Sequence, residues 1–516
     1  MEKRFNITEL FLSAAATYPD KVAIVDKQTK ISFKQLLDDV KCTAHYFAKK
    51  GIQKGDRVLV FVPMGIDLYR IVLALFYMGA TVVFLDEWTN RKRLDLCCRL
   101  ADCKAFVGTW KTHLLRLFSS EIRRIPIILN TRLRPGNSYF LSDTQMEDPA
   151  LITFTTGSTG VPKAALRTHG FLLEQFNALE DKMQAHPSDI DMSVLPIVLL
   201  INLGVGSTSV IADFKSSKPT KMCAARIIDQ LRAQQVSRIV ASPYFIKRLA
   251  EEIKSDPRSL PHLRAIFTGG APVFQKEALL FTEVFRDKQV QIVYGSTEAE
   301  PISSIEAKYV AEDHITYRPE VGLCVGRPYS ATQVRILKIT DEALFDISAK
   351  QFKVFQCEEE EWGEIIVSGP HVLATYFKNE DALRKTKILL NGVYWHRTGD
   401  AGYMKDGMLY LTGRCQTLIQ NGNRYISPFI FENYLQFIPG VRLGTVLKIQ
   451  GKMIAFVELE NKAVDRQLLE KTIRSLPLFI DEIRFCKLPR DPRHHSKIEY
   501  GKLAPPTTNE STPIPR

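Results

Sequence analysis

No uninterrupted apolar run in this chain is long enough to span a bilayer, which argues against a helical membrane protein. The opening Met-Glu-Lys-Arg-Phe-Asn carries no apolar segment of the kind a secretory leader needs. We therefore expect a reducing cytoplasm, with peripheral contact to a membrane left open. No Cys-x-x-Cys pair is present. The nine cysteines are odd in number and irregularly spaced, and Cys97, Cys98 and Cys103 cluster without matching histidines, so buried thiols are expected there rather than a metal site. No internal repeat is found. Nucleic-acid recognition modules are also missing, and 69 Lys and Arg are scattered among 57 Asp and Glu, which argues against a nucleic-acid partner. The net charge of +12 suits anionic small molecules such as nucleotides or CoA, or a weak preference for acidic membrane surfaces.

What is present is a chain of 516 residues, enough for one large or several smaller domains. Its most informative stretch is Thr153-Phe-Thr-Thr-Gly-Ser-Thr-Gly-Val-Pro-Lys163. The apolar Leu151 to Phe154 reads as a strand that runs into hydroxyls, two glycines and a lysine. Hydroxyls at Thr155, Thr156, Ser158 and Thr159 donate hydrogen bonds. Gly157 and Gly160 let backbone N–H groups curl around an anion, and Lys163 adds a full charge. This is a cradle for a polyphosphate. It differs from the Gly-x-x-x-x-Gly-Lys-Ser/Thr loop, because Pro162 stands where that pattern needs glycine and Ala164 follows the lysine.

The first 150 residues alternate helical and strand patterns. Strands are expected at Val22 to Val25, Ile31 to Phe33, Arg57 to Val62 and Thr81 to Leu85, with helices at Leu36 to Lys50 and Leu68 to Met78. Asn130 to Glu147 reads as a linking loop. Further strands are expected at Ser193 to Leu195, Ser209 to Ile211, Arg238 to Ala241, Arg264 to Thr268 and Val290 to Val293. A β-patterned run from Val334 to Val367 is broken by the acidic Glu358 to Glu361, read as a solvated loop. The rhythm implies sheets covered by helices. After Arg414 the texture changes. Short strands at Val446 to Lys448, Ile454 to Leu459 and Ile483 to Leu488, with a helix at Val464 to Ser475, suggest a small separate α/β domain. The expected division is 1–413, 414–503 and a disordered Pro/Thr-rich tail, 504–516.

Four more motifs follow the phosphate cradle in order: Thr268-Gly-Gly-Ala-Pro272, Tyr294-Gly-Ser-Thr-Glu298, Tyr394-Trp-His-Arg-Thr-Gly-Asp400 with Gly413-Arg414, and Arg493-His-His-Ser-Lys-Ile498. Each has a physical reading. Gly269, Gly270 and Ala271 form a small-residue turn where a flat base could approach backbone, with Tyr294 stacking on it. Glu298 is a hard oxygen ligand suited to Mg²⁺. Asp400 offers an acceptor for ribose hydroxyls and Arg414 a donor fork beside it.

In this order the set resembles the adenylate-forming superfamily, which includes acyl-CoA synthetases, peptide-synthetase adenylation domains and luciferases; the resemblance covers nearly the whole chain. It implies an α/β fold with a large N-terminal adenylation domain and a small mobile C-terminal lid domain. It implies an enzyme that uses ATP and Mg²⁺ to turn a carboxylic acid into acyl-AMP and pyrophosphate. Catalytic roles fall on Lys497, Glu298 and Thr297. Nucleotide contacts fall on Thr155, Thr156, Gly157, Ser158, Thr159, Gly160, Lys163, Gly269, Gly270, Ala271, Tyr294, Gly295, Ser296, Asp400 and Arg414. Lys502 competes with Lys497 for the catalytic position, and the Arg-His-His-Ser-Lys-Ile context favours Lys497. Departures from the family pattern are Gln416 at its hinge position and Gln420 in place of a frequent lysine, whereas Gly422, Pro428 and Glu432 keep its spacing.

Leu195 to Gly206 is aliphatic where an acyl site commonly carries a histidine or aromatic. An apolar wall favours an acyl chain over an amino acid, whose ammonium would need a buried carboxylate; Asp191 and Asp213 flank the segment. The branch most resembled contains olefin-pathway β-lactone synthetases among many fatty-acid–CoA ligase-like relatives. A fatty or hydroxy-fatty acid is therefore expected, with CoA as the second substrate. A carrier-protein thiol or the substrate's own β-hydroxyl are alternative acceptors. A non-catalytic nucleotide- or acyl-binding protein is the contrasting class.

Overall fold

The computed structural model describes residues 3–85, 91–133, 139–156, 162–215, 218–312, 320–422, 424–461, 463–491 and 498–503. Two large sheets dominate. The first has six strands in the spatial order Ile127–Asn130, Ala105–Gly108, Arg57–Phe61, Thr81–Phe84, Pro149–Thr156 and Pro162–Thr168. Its first five strands are parallel and the last is antiparallel. The second sheet has 14 strands. Its parallel portion runs Val22–Asp26, Thr208–Ile211, Ile190–Ser193, Arg238–Ala241, Ala265–Gly269 and Gln289–Ser296. An antiparallel portion follows, which contains the long hairpin Met408–Arg414 and Val393–Lys405 and ends in Gly363–Ser368 and Gln333–Leu337.

The helix Ile66–Tyr77 is buried at every position from Leu68 to Tyr77. It contacts strands of both sheets, which explains a helix that is apolar all round. Its one buried charge, Arg70, is satisfied by Thr43 Oγ1 and Asp67 Oδ1, each at 2.7 Å. Cys97, Cys98 and Cys103 are buried thiols in a core cluster with Leu59 and Phe106. Burial pushes Cys97 and Cys103 up to about 12.

After Arg414 the chain builds a three-stranded sheet, Val441–Ile449, Lys452–Leu459 and Glu482–Phe485, with helices Pro428–Leu435 and Arg466–Arg474. This unit has its own core around Phe431, Leu435, Val446, Val457 and Ile473. It rests on the larger part through the Phe274 and Phe429 rings, 5.0 Å apart, and through Lys276 Nζ donating to Gln436 O at 2.8 Å.

Several boundaries differ from expectation for local reasons. The strand expected at Ser193 to Leu195 is Ile190–Ser193, because Pro196 at the first helical position starts the helix Pro196–Val205. Phe33 does not belong to a strand: Ser32 and Gln35 form a reciprocal capping box that starts the helix Phe33–Lys49. The β-patterned run after Val334 contains a helix, Ala349–Phe355, started by a second capping box of Ser348 and Gln351. Asn130 ends a strand rather than opening the linking loop, and the last expected strand is shorter, Glu482–Phe485. Glu358 to Glu361 is exposed, as a solvated loop should be. The tail 504–516 lies outside the described residues.

Candidate active site

The site is assembled at the carboxyl ends of parallel strands from both sheets, where backbone leaves the ladder and turns are free to meet a ligand. From the six-stranded sheet comes the phosphate-cradle hairpin, in which Thr155 pairs with Lys163 and Thr156 with Pro162. Gly157, Ser158, Thr159 and Gly160 lie outside the described residues, and Thr155 and Thr156 are placed only as backbone of their strand. Lys163 is half-buried, with its ammonium 5.8 Å from the centroid of the Tyr376 ring. Burial lowers its pKa, and the nearby Glu298 carboxylate opposes that shift.

From the second sheet come the two neighbouring strands that end in Gly269 and Ser296. A Cβ on Gly269 would lie 2.5 Å from Val293 O, and Gly270 has φ +83°, so this turn requires glycine twice. Ala271 continues the small-residue turn. A Cβ on Gly295 would stand 2.9 Å from Ala299 O, so the next strand end is equally tight. Ser296 Oγ accepts from the Glu298 N–H at 3.3 Å, and the Thr297 carbonyl accepts from Arg167 at 3.0 Å. The bend thus points Glu298 inward, where it is buried.

The long hairpin supplies the third group. Asp400 and Arg414 are register partners, and Arg414 Nε lies 3.1 Å from Asp400 Oδ1. Tyr294 donates its hydroxyl to Asp400 Oδ2 at 2.8 Å. Burial, then Asp400, holds the Tyr294 phenol well above its usual pKa, so it remains a donor. Asp400 raises the pKa of Arg414 in turn. The structure therefore brings Lys163, Gly269 to Ala271, Tyr294 to Glu298, Asp400 and Arg414 into one neighbourhood.

Two residues that sequence reasoning missed belong to the same cluster. Tyr376 donates its hydroxyl to Glu298 Oε1 at 3.2 Å. Lys387 has no exposed surface, donates to Leu373 O, and lies 5.6 Å from the Tyr376 ring centroid. Burial pushes Lys387 down to about 7, against the pull of Glu298. Its register partner His396 is also buried and held well below its usual pKa by that burial. The available signal was a lone lysine heading the apolar strand Lys387–Leu390.

Lys497 lies outside the described residues. The flanking Arg490 and Ile498 pair as a bridge, and Ile498 packs with Ile454, Phe456 and Leu488 on the small sheet. Lys502 is exposed and paired with Glu499. Beside them Tyr500 donates to Glu432 Oε1 at 2.5 Å, and Thr445 donates to the same oxygen at 2.6 Å. Gln416 sits in a single helical turn, Cys415–Thr417, between the long hairpin and the small unit; Gln420 follows in the short strand Ile419–Asn421.

The aliphatic Leu195 to Gly206 segment is the helix Pro196–Val205, with Val198, Leu199, Ile201 and Leu203 buried. Both flanking carboxylates are committed elsewhere. Asp191 is fully buried against Arg238 at 2.9 Å, and Asp213 pairs with Arg226.

A phosphate-cradle hairpin, a glycine turn, a buried carboxylate and a carboxylate–guanidinium pair, brought together from the two sheets, suit a site that binds a nucleotide and activates an acid. The comparisons with known proteins agree. The family model described as AMP-binding enzyme matches residues 11–377, and the chain belongs to that family of acid-activating, AMP-forming ligases. An olefin β-lactone synthetase from Stenotrophomonas maltophilia (strain K279a) is 27% identical over 98% of each chain. A 2-succinylbenzoate–CoA ligase from Bacillus cereus (strain Q1) is 26% identical over 93% of this chain and 94% of its own. Among solved structures, the O-succinylbenzoate coenzyme A synthetase of Bacillus subtilis in complex with ATP and magnesium ion matches with TM-score 0.80 at 20% identity, covering 98% of this chain and 100% of its own. The amide bond synthetase of Marinactinospora thermotolerans matches with TM-score 0.81 at 19% identity, covering 96% and 99%.

Proposed function

We propose that this ligase activates an acid with a long apolar chain, fatty or hydroxy-fatty, by adenylation with ATP, and then transfers the acyl group to CoA. The observation that carries the choice of acid is the commitment of both carboxylates beside the aliphatic helix. Asp191 is held by Arg238 and Asp213 by Arg226, so neither serves a substrate ammonium, and on the helix between them Val198 and Ile201 pack with Phe267, on the strand that ends in Gly269.

In the first step a carboxylate oxygen bonds to the α-phosphorus as the bond to pyrophosphate breaks. Both reactants are anionic, and positive charge must offset their repulsion. Lys163 and Arg414 both lie in the field of Glu298 at the place where the triphosphate would sit. Tyr294, Asp400 and Arg414 form a ready-made acceptor and donor set for a ribose, and the Gly269 to Ala271 turn leaves room for a base. Thr155, Thr156, Gly157, Ser158, Thr159 and Gly160 steady the leaving pyrophosphate in this reading, and Gly295, Ser296 and Thr297 fix the bend that aims Glu298.

Glu298 fits Mg²⁺: it is a hard oxygen donor, and among the described residues no cluster of three His, Cys, Asp or Glu forms a protein cage. One carboxylate with phosphate and water oxygens is the usual way this ion is held. Bound there, the ion would withdraw charge from the phosphates. Lys497 then contributes its charge in the transition state, carried by a C-terminal unit, 414–503, that acts as a mobile lid.

The acceptor has a second reading favoured by one observation. The relative that aligns over 98% of both chains is named for β-lactone synthesis, in which the substrate's own β-hydroxyl would displace AMP. Acid-dependent exchange of labelled pyrophosphate into ATP, over fatty and β-hydroxy fatty acids, tests the activation step. Absence of exchange with every acid would overturn it. Thioester formed on adding CoA supports the ligase; AMP release from a β-hydroxy acid without CoA supports the lactone.

A further inference from the structure

We infer that the helical segment from Trp110 to Phe118 is a docking surface for an anionic lipid bilayer. Two short helices, Trp110–His113 and Leu115–Phe118, are joined by Leu114 in the right-handed helical conformation, giving nine consecutive helical residues. Trp110, Leu114, Leu117 and Phe118 fall at i, i+4, i+7 and i+8, one face of a helix. That face points to solvent: the four side chains are 71%, 50%, 68% and 59% exposed. The side chains that flank the stripe tie the segment to the fold, since His113 packs edge-on against Phe106 at 5.3 Å and Leu115 joins the cluster around Ile122. The exposed apolar stripe contributes nothing to the core and is left for something outside the chain.

Charge identifies that partner. Residues 110–124 hold three exposed cations, Lys111, Arg123 and Arg124, and the part-buried Arg116, against one anion, Glu121. Glu121 is covered by Arg99 and Arg124 at 3.2 and 3.3 Å, so the outward charge is positive. Lys111 lies over the Trp110 ring at 5.4 Å, which puts an amphipathic ring and an ammonium at the same level. Exposed tryptophan, leucine and phenylalanine ringed by Lys and Arg suit a headgroup boundary of anionic lipid.

Topology gives the surface an orientation. Gly108, two residues before Trp110, ends its strand level with Phe61 and Asn130 on the adjacent parallel strands. The strand that enters the phosphate cradle, Pro149–Thr156, ends at the same edge of this sheet. It lies three strands away, about 14 Å by strand spacing. A bilayer seated on the stripe would therefore face the end of the sheet at which the acid is activated. The inference does not depend on which acid that is.

Co-sedimentation of the full chain with vesicles of phosphatidylglycerol and phosphatidylcholine, against phosphatidylcholine alone, tests it. The chain should pellet with the anionic vesicles. A Trp110→Ser/Leu117→Ser/Phe118→Ser variant and, separately, a Lys111→Glu/Arg124→Glu variant should each lose roughly tenfold or more in partitioning. Pyrophosphate exchange with a water-soluble acid and the thermal midpoint should stay unchanged in both. Equal pelleting of wild type and the serine variant would overturn the proposal, as would failure of the wild type to bind. So would an oligomer in size-exclusion light scattering that dissociates in the serine variant without any vesicle binding, since that makes the stripe a protein interface.

Discussion

The hydroxyl of Tyr376 donates to the Glu298 carboxylate at 3.2 Å, and the same ring lies under the ammonium groups of Lys163 and Lys387 at 5.8 and 5.6 Å from its centroid. One aromatic side chain therefore orients the carboxylate proposed to hold Mg²⁺ and lies beside two cations. Burial, then Glu298, raises the phenol above its ordinary range, so it stays a donor at every working pH.

Tyr376→Phe keeps the ring and removes only the donor. A hydrogen bond to a charged group is worth about 1.5–3 kcal/mol, so pyrophosphate exchange should fall about ten- to hundredfold. The Mg²⁺ concentration for half-maximal exchange should rise with it, while CD spectra remain unchanged. An unaltered Mg²⁺ dependence would show that Tyr376 does not orient Glu298.

Lys387 gives a stability signature. Facing Glu298, Lys163 and the buried His396, it releases its proton near pH 7 in the folded chain and near 10.5 when unfolded. Between these values the unfolded state binds more protons, so stability rises with pH across that window and the full cost of the buried ammonium is felt below it. The span corresponds to up to about 5 kcal/mol. Lys387→Met should be more stable than wild type at pH 6 and should lose this rise in a urea-midpoint series from pH 6 to 10. A wild-type midpoint that falls over pH 7 to 9.5, with the same slope in Lys387→Met, would rule it out.

How much of this was visible beforehand depends on whether a residue announces itself locally. Gly269 and Gly270 stand directly after an apolar strand, and Tyr294 to Glu298 leaves the next one, so both turns could be read from spacing. Asp400 and Arg414 close one hairpin, and their pairing follows from its register. Tyr376 and Lys387 have no such signature. Tyr376 reaches Glu298 across 78 residues of sequence, and only the packed sheet puts them together. Helix starts were missed for a different reason. The Ser348 and Gln351 capping box lies inside a run patterned as β, and the strand expected at Ser193 to Leu195 stops at Ser193 because Pro196 opens the next helix.

Asp400 and Tyr294 separate two roles in nucleotide binding. Asp400→Ala removes the acceptor proposed for the ribose and leaves Arg414 without its 3.1 Å partner. ATP affinity measured by calorimetry should fall by about 1–3 kcal/mol, roughly five- to hundredfold. Tyr294→Phe loses only the 2.8 Å hydroxyl that orients Asp400 and keeps the ring, so its loss should be smaller. Unchanged affinity in Asp400→Ala would remove it from the nucleotide site.

Glu432 should behave with the opposite sign to Lys387. Its carboxyl is buried, accepts from Tyr500 and Thr445, and is pushed up by burial to about 7 from 4.5. The folded state therefore binds more protons between pH 4.5 and 7, and stability falls as pH rises through that window. The loss is on the order of 3 kcal/mol. Glu432→Gln, which keeps an acceptor oxygen for both hydroxyls, should flatten the pH dependence of unfolding. A wild-type profile that is flat from pH 4.5 to 7 would contradict the buried, neutral carboxyl.

The C-terminal lysine is decided by a pair of substitutions. In sequence Lys497 directly precedes Ile498, which packs on the small sheet and bridges to Arg490, whereas Lys502 is exposed and already paired with Glu499. A charge that acts mainly in the transition state lowers turnover without weakening the ground state. Lys497→Ala should therefore cut pyrophosphate exchange by about a hundredfold or more, the scale of losing one preorganised stabilising group, with ATP affinity nearly unchanged. Lys502→Ala should leave exchange close to wild type, because an exposed ion pair contributes little. If Lys502→Ala abolishes exchange and Lys497→Ala does not, the catalytic position moves five residues along the chain, into the turn whose Tyr500 is held by Glu432. In that case Glu432→Gln should depress exchange as well as flatten the pH profile of stability, since the turn that holds the lysine would be fixed by that contact.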